Sequence, residues 1–199
     1  GRKYTEAGEK FEELNKQHPY TDYARKSTLM LAYSKYASGQ YEDAAQNARR
    51  YLVMHPASSD APYAQYLIGM SYYNEIPDIT RDQQGTQKAL NALQELVNKW
   101  PDSEYAEEAR KRIVIAQDQL AGKEMEIGRF YLSQRNYIGA VNRFRGVITN
   151  YQTTRHVEEA LARVAEAYLA LGVIDEAQTA ASILGHNYPD SKWYADTYK

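Results

Sequence analysis

Residues 160–189 read ALARVAEAYLALGVIDEAQTAASILGHNYP, and the stretch outlines one complete helix-turn-helix unit. Val164-Ala165 sets a small residue behind an aliphatic one, with Tyr168 three positions beyond the alanine. Gly172-Val173-Ile174 is a turn, because glycine just past a helix end tolerates positive φ. Ala177, Ala181 and Leu184 then recur at spacings of four and three, which lays them along one face of a second helix. Pro189 closes the unit: proline cannot continue a helix and disfavours helical geometry in the residue before it.

The same phrase recurs upstream. Ala7, Ala44 and Ala89 precede Pro19, Pro56 and Pro101 by the interval that separates Ala177 from Pro189, and a further copy runs from Ala140 to Gln152, with glutamine where proline would stand. Each alanine is followed on its own face by Phe11 and Leu14, Ala48 and Tyr51, Leu93 and Leu96, or Phe144 and Val147. In the preceding helices Leu31-Ala32, Ile68-Gly69 and Ile127-Gly128 supply small residues that let two helices approach closely. Turns fall at Gly39-Gln40-Tyr41 and at Arg135-Asn136-Tyr137, the second without glycine. Five registered copies predict an all-α, tetratricopeptide-repeat (TPR) superhelical solenoid of about five helix pairs, with the first helix of the first pair missing.

The closing positions 19, 56, 101, 152 and 189 are unevenly spaced, whereas a plain repeat of this class is about 34 residues long. One excess lies in the polar loop 75–85. Another lies between Ala106 and Gly128, where Ala-, Glu-, Lys- and Ile-rich sequence predicts a long helix near 104–121. It would join an N-terminal half, 1–105, to a C-terminal half, 106–199. The phrases PYTDYA (19–24), PDSEYA (101–106) and PDSKWYA (189–195) restart the chain after three of the prolines, with Thr21, Ser103 and Ser191 as expected N-caps. Gln152 is expected to loosen its turn.

Composition narrows the function. Lys+Arg total 24 against Asp+Glu 26, so bulk charge draws the chain neither to nucleic acid nor to an anionic membrane. No cysteine is present, hence no thiolate nucleophile or Cys-based metal site. No apolar run is long enough to span a bilayer. The chain opens abruptly at Gly1, from which a segment upstream is expected.

Tyrosine stands out, with 19 copies against 3 Phe and 2 Trp. It combines a large apolar face with a polar tip and suits partly wet surfaces. In a TPR stack the first helix of each pair lines the inner surface. On that face the second repeat places Leu29, Tyr33 and Tyr36, and the third places Tyr63, Tyr66, Met70 and Tyr73. The corresponding positions of the C-terminal half are Met125, Arg129, Leu132, Ala162, Glu166 and Leu169. Tyr33, Tyr36, Tyr63, Tyr66, Met70 and Tyr73 are therefore the expected groove for a peptide with aromatic side chains. Simple padding between helices is the competing explanation.

Chemistry finds no foothold. His18, His55, His156 and His186 read as helix-end residues stabilised by the C-terminal dipole, without metal-ligand spacing, and no phosphate-cradling or nucleophile-elbow motif is present. Neighbouring carboxylates such as Glu107-Glu108 point apart by about 100° on a helix. No catalytic residue, metal or cofactor is expected. Basic groups at Arg25-Lys26, Arg49-Arg50 and Arg110-Lys111-Arg112 read as solvated helix faces, or as contacts for an acidic partner.

Particular phrases go beyond the repeat pattern. HPYTDYARKSTLMLAYSKYASGQYEDA (18–44), YAQYLIGMSYY (63–73), TRDQ (80–83), WPDSEYAEEARKRI (100–113), LAGKEMEIGRFYLSQRNYIGAVNRF (120–144) and NYPDS (187–191) resemble the BamD lipoprotein family of the bacterial β-barrel assembly machinery over essentially the whole chain. The resemblance implies a non-enzymatic scaffold at the periplasmic face of the outer membrane, held by an N-terminal lipid anchor. It further implies an N-terminal half that receives the targeting signal of nascent outer-membrane proteins, and a C-terminal half that docks the last POTRA domain of the barrel-forming subunit, BamA, with other Bam lipoproteins as further partners. The family's Asn-Arg pair matches Asn142-Arg143, and Arg143 is expected to meet a partner carboxylate. A generic TPR co-chaperone or adaptor that clamps a partner's C-terminal peptide is the alternative, disfavoured by Tyr33, Met70 and Glu166 at positions where such a clamp needs Asn or Arg. An enzyme accessory or small-molecule protein is a further alternative, which no residue supports.

Overall fold

The computed structural model describes residues 2–17 and 22–197; the sequence features at His18, Pro19 and Thr21 lie outside them. The described residues form ten helices: α1 (Arg2–Gln17), α2 (Asp22–Ala37), α3 (Tyr41–Met54), α4 (Ala61–Asn74), α5 (Gln84–Lys99), α6 (Ala106–Ser133), α7 (Tyr137–Asn150), α8 (Val157–Ala170), α9 (Ile174–Asn187) and α10 (Lys192–Thr197). The fold is all-α and of TPR type. Two compact units divide it, residues 1–116 and 117–199, and their boundary falls inside α6.

The repeat in sequence is a repeat in backbone. After α2, α6 and α8, the N–H groups of Gln40, Asn136 and Val173 each donate to the carbonyl five residues back, on Lys35, Tyr131 and Tyr168, at 2.9 Å. This closes the helix with a left-handed residue before the bonded one. Gly39 (φ 81°) and Gly172 (φ 75°) take that conformation, and Arg135 (φ 58°) takes it without glycine's freedom.

The second helices end alike as well. His55, Trp100, Tyr151 and Tyr188 cap α3, α5, α7 and α9 with φ of -139°, -135°, -131° and -135°. Each donates its N–H to the residue four back: Tyr51, Leu96, Val147 or Leu184. The turn before Gln152 is thus as tight as those before proline. Backbone closure by the Tyr151 N–H sets it, and the expected loosening does not occur.

Packing follows the predicted register in the last four copies, whereas Ala7, Phe11 and Leu14 of the first are only half-buried. Ala44, Ala89, Ala140 and Ala177 are buried, as are Tyr51, Leu96, Val147 and Leu184. The small residues of the first helices face the second helices at contact distance. A Cβ on Gly69 would lie 2.4 Å from Leu93, and one on Gly128 would lie 2.5 Å from the Phe144 ring. Without glycine these helices could not pack so closely.

In the first unit, Tyr51, Leu67, Ile68 and Tyr72 form one core, while Leu93 and Leu96 of α5 meet Ala109 and Ile113 of α6. The second unit packs Ala121 and Met125 of α6 on Phe144 and Val147 of α7 and Val164 of α8. Ser191 caps α10 by accepting from the Trp193 N–H at 3.2 Å. Ser103 does not cap α6: it lies in a turn ahead of the helix, and its carbonyl receives the Ala106 N–H. Gln84 and Gly85, read as loop, belong to the first turn of α5.

Candidate binding faces

The first unit holds the predicted tyrosines on two helices and links two of them through a further ring. Tyr33 and Tyr36 project from α2, and Tyr63, Tyr66 and Tyr73 from α4; all are half-buried. Tyr105, in the linker before α6, lies between two of them, its ring centroid 5.2 Å from that of Tyr63 and 5.2 Å from that of Tyr66. Tyr4 of α1 meets Tyr33 edge-on at 6.0 Å. The Tyr36 hydroxyl accepts from the Asn74 side chain at 2.8 Å. Arg112 covers the Tyr73 ring at 5.1 Å while its Nε donates to Glu108 at 2.7 Å, so the ring carries a fixed cation on its face.

Met70 departs from this set. It is only 5% exposed, because α4 packs against α2, α3 and α5 and is buried around most of its circumference. It contributes core volume and has almost no surface to offer a ligand.

Burial pushes the phenols of Tyr63 and Tyr105 up to about 12, in Tyr105 with help from a hydrogen bond and the charge of Glu104. Tyr66 is raised by burial and then by the charge of Glu108. Tyr33 is raised first by its hydrogen bond with Tyr4. At neutral pH the face therefore offers neutral hydroxyl donors on apolar rings, a surface suited to aromatic side chains and peptide carbonyls.

The second unit carries ion pairs between its helices. Arg143 of α7 is half-buried and donates to Glu124 of α6 at 3.1 and 3.4 Å, with Asn142 exposed beside it in sequence. The hydrogen bond from Arg143 to Glu124 raises the guanidinium pKa and outweighs the cost of desolvation. Arg129 grips Glu159 with two bonds of 2.8 and 2.6 Å. Burial would raise the Glu159 carboxyl, but this pair and the Arg163 charge hold it below its usual range. His156 sits at the start of α8, 3.6 Å from Asp118, so it is not at a helix C-terminus. His55 and His186 are at helix C-terminal ends. Among the described residues no group of three or more metal-binding side chains converges, and no helix is long and apolar enough to cross a membrane.

Sequence comparison relates this geometry to a family. The outer membrane lipoprotein family YfiO matches residues 1–184. The outer membrane protein assembly factor BamD of Caulobacter vibrioides is 43% identical over 196 residues, covering 98% of this chain and 64% of that protein. This chain belongs to the BamD (YfiO) family. BamD of Rickettsia prowazekii is likewise 43% identical, over 198 residues, covering 100% of this chain and 79% of its own length. The chain thus spans less than two thirds of the Caulobacter relative. Among solved structures, a thermophilic TPR protein of Thermus thermophilus aligns over 98% of this chain and 90% of its own, with 18% identity and a TM-score of 0.40.

Three contributors to these candidate faces were absent from the sequence reading. Tyr105 lies in a linker, outside the helix positions that periodicity assigns. Its signal was the phrase PDSEYA, whose tyrosine recurs in PYTDYA. Tyr4 packs on Tyr33 from the neighbouring helix α1. Glu124 pairs with Arg143 across α6 and α7, a contact that no spacing within one helix encodes.

Proposed function

We propose that this chain is a non-catalytic scaffold of the outer-membrane β-barrel assembly complex, acting at the periplasmic face of the outer membrane. Its first unit receives the targeting signal of nascent outer-membrane proteins, and its second docks the last POTRA domain of the barrel-forming subunit BamA. The observation that carries this reading is the half-buried tyrosine face of α2, α4 and the pre-α6 linker, with neutral hydroxyls and one ring held under Arg112. Family membership supports the assembly role, since the Caulobacter and Rickettsia relatives are named assembly factors.

No bond is made or broken. Weak capture of an unfolded barrel precursor on one unit, with BamA held on the other, raises the precursor's effective concentration at the site of insertion. Other Bam lipoproteins would share the remaining surface, and a lipid anchor would hold the assembly at the membrane. On the BamA side, a POTRA carboxylate replaces Glu124 as the acceptor for Arg143, whose side chain is 41% exposed.

The test uses a fluorescent peptide with alternating aromatic residues. Tyr33→Ala combined with Tyr66→Ala weakens its binding by roughly tenfold or more while helical circular dichroism is retained. Unchanged affinity in a folded double variant would defeat the signal-binding assignment. Separately, Arg143→Glu abolishes co-purification with BamA's periplasmic domains, and an intact complex would remove Arg143 from the interface.

A further inference from the structure

A groove on the first unit takes no part in the tyrosine face. Two adjoining cavities of about 380 and 400 Å³ share Leu52, Val53, Gln65 and Glu95, so they form one continuous slot between α3 and α5 with α4 beneath it. Val53 stands 82% exposed on its wall, the most exposed large aliphatic residue of the described chain.

The slot's charges are uneven. Glu95 is its one lining carboxylate and is already engaged, pairing with Lys99 and accepting from the buried Gln65 amide at 3.2 Å. Gln65 also donates to the Ala92 carbonyl at 2.9 Å, which fixes the floor. At one end Arg49 of α3 and Lys88 of α5 both lie over the Tyr72 ring, at 5.2 and 5.5 Å from its centroid. Neither has an ion-pair partner among the described residues. Both line the same cavity, so an occupant meets two positive charges that no carboxylate of the described residues neutralises.

We propose that this groove binds an extended acidic and aliphatic segment of a protein partner. Aliphatic side chains of the segment lie on Leu52 and Val53, and one of its carboxylates is held by Arg49 and Lys88. Charge complementarity selects this occupant: a basic segment would meet two unpaired cations, and a purely apolar one would leave them unpaired beside a dried surface. The site is separate from the tyrosine face and does not depend on the function proposed for that face.

The whole chain is titrated into two labelled peptides free of aromatic residues, one alternating glutamate with leucine and valine, the other with glutamine in place of glutamate. The acidic peptide binds and the neutral one binds roughly tenfold more weakly. Arg49→Gln combined with Lys88→Gln erases that difference and flattens the salt dependence. Val53→Asp, at an exposed position and with helical circular dichroism retained, weakens the acidic peptide comparably, whereas Tyr33→Ala with Tyr66→Ala leaves it unaffected. Equal binding of the two peptides, no binding of either, or loss through the tyrosine variant alone would overturn the proposal. So would light scattering in which Val53→Asp converts a dimer to a monomer, because the occupant would then be a second copy of the chain.

Discussion

At φ 58° the side chain of Arg135 crowds its own backbone, a conformation that costs a residue with a Cβ about 1–2 kcal/mol and that Gly39 and Gly172 adopt freely in the equivalent turns. Arg135→Gly should therefore stabilise the protein by roughly 1 kcal/mol, because glycine's greater freedom in the unfolded chain offsets part of the gain. Gly172→Ala should destabilise by a similar amount. Urea unfolding midpoints of the two variants check both signs, and a fall for Arg135→Gly would show that other contacts of Arg135 outweigh the strain. The turn's position was legible in the sequence because it stands in register with two glycine turns. Partners across helices were less so: Gly69 and Gly128 were recognisable as points of close approach, but their contacts with Leu93 and Phe144 emerge only when two helices are docked.

Single helices explain why the tyrosine face was partly readable. Helical periodicity assigns Tyr33, Tyr36, Tyr63, Tyr66 and Tyr73 to the first helices, and these are half-buried as a surface aromatic face requires. The same periodicity misplaced Met70, since a pattern computed on one helix does not register that α2, α3 and α5 enclose α4 from several sides. Burial of the phenols makes this face sensitive to alkali. Tyr63 and Tyr105 titrate near 12 in the folded chain, above the ordinary value of 10, so the folded state holds its protons more tightly than the unfolded one. The stabilisation is fully present below pH 10 and is lost as the pH rises towards 12. Urea titrations across this range should give a falling unfolding free energy, with a shallower fall in Tyr63→Phe and in Tyr105→Phe. A slope unaltered by both substitutions would assign the alkaline loss to other groups.

On the scale of the whole chain, each unit has its own core, with Tyr51, Leu67 and Leu96 buried in the first and Phe144, Val147 and Leu161 in the second. Repeat proteins derive stability from each repeat and its nearest neighbours, so damage to one core need not reach a distant one. Phe144 is fully buried, and its ring fills the space left by Gly128 on α6. Phe144→Ala removes about 3–5 kcal/mol by leaving a cavity that the surrounding helices only partly close. Amide exchange should then accelerate through α7, α8 and α9, while α3 and α4, packed on Tyr51 and Ile68, keep their protection. Under the proposed division of labour the variant loses BamA docking first and still binds the aromatic peptide and the acidic peptide. Equal loss of protection in α3 and α4 would mean that the chain unfolds as one block. The two units would then be divisions of packing alone, and a lesion in either would silence both binding faces together.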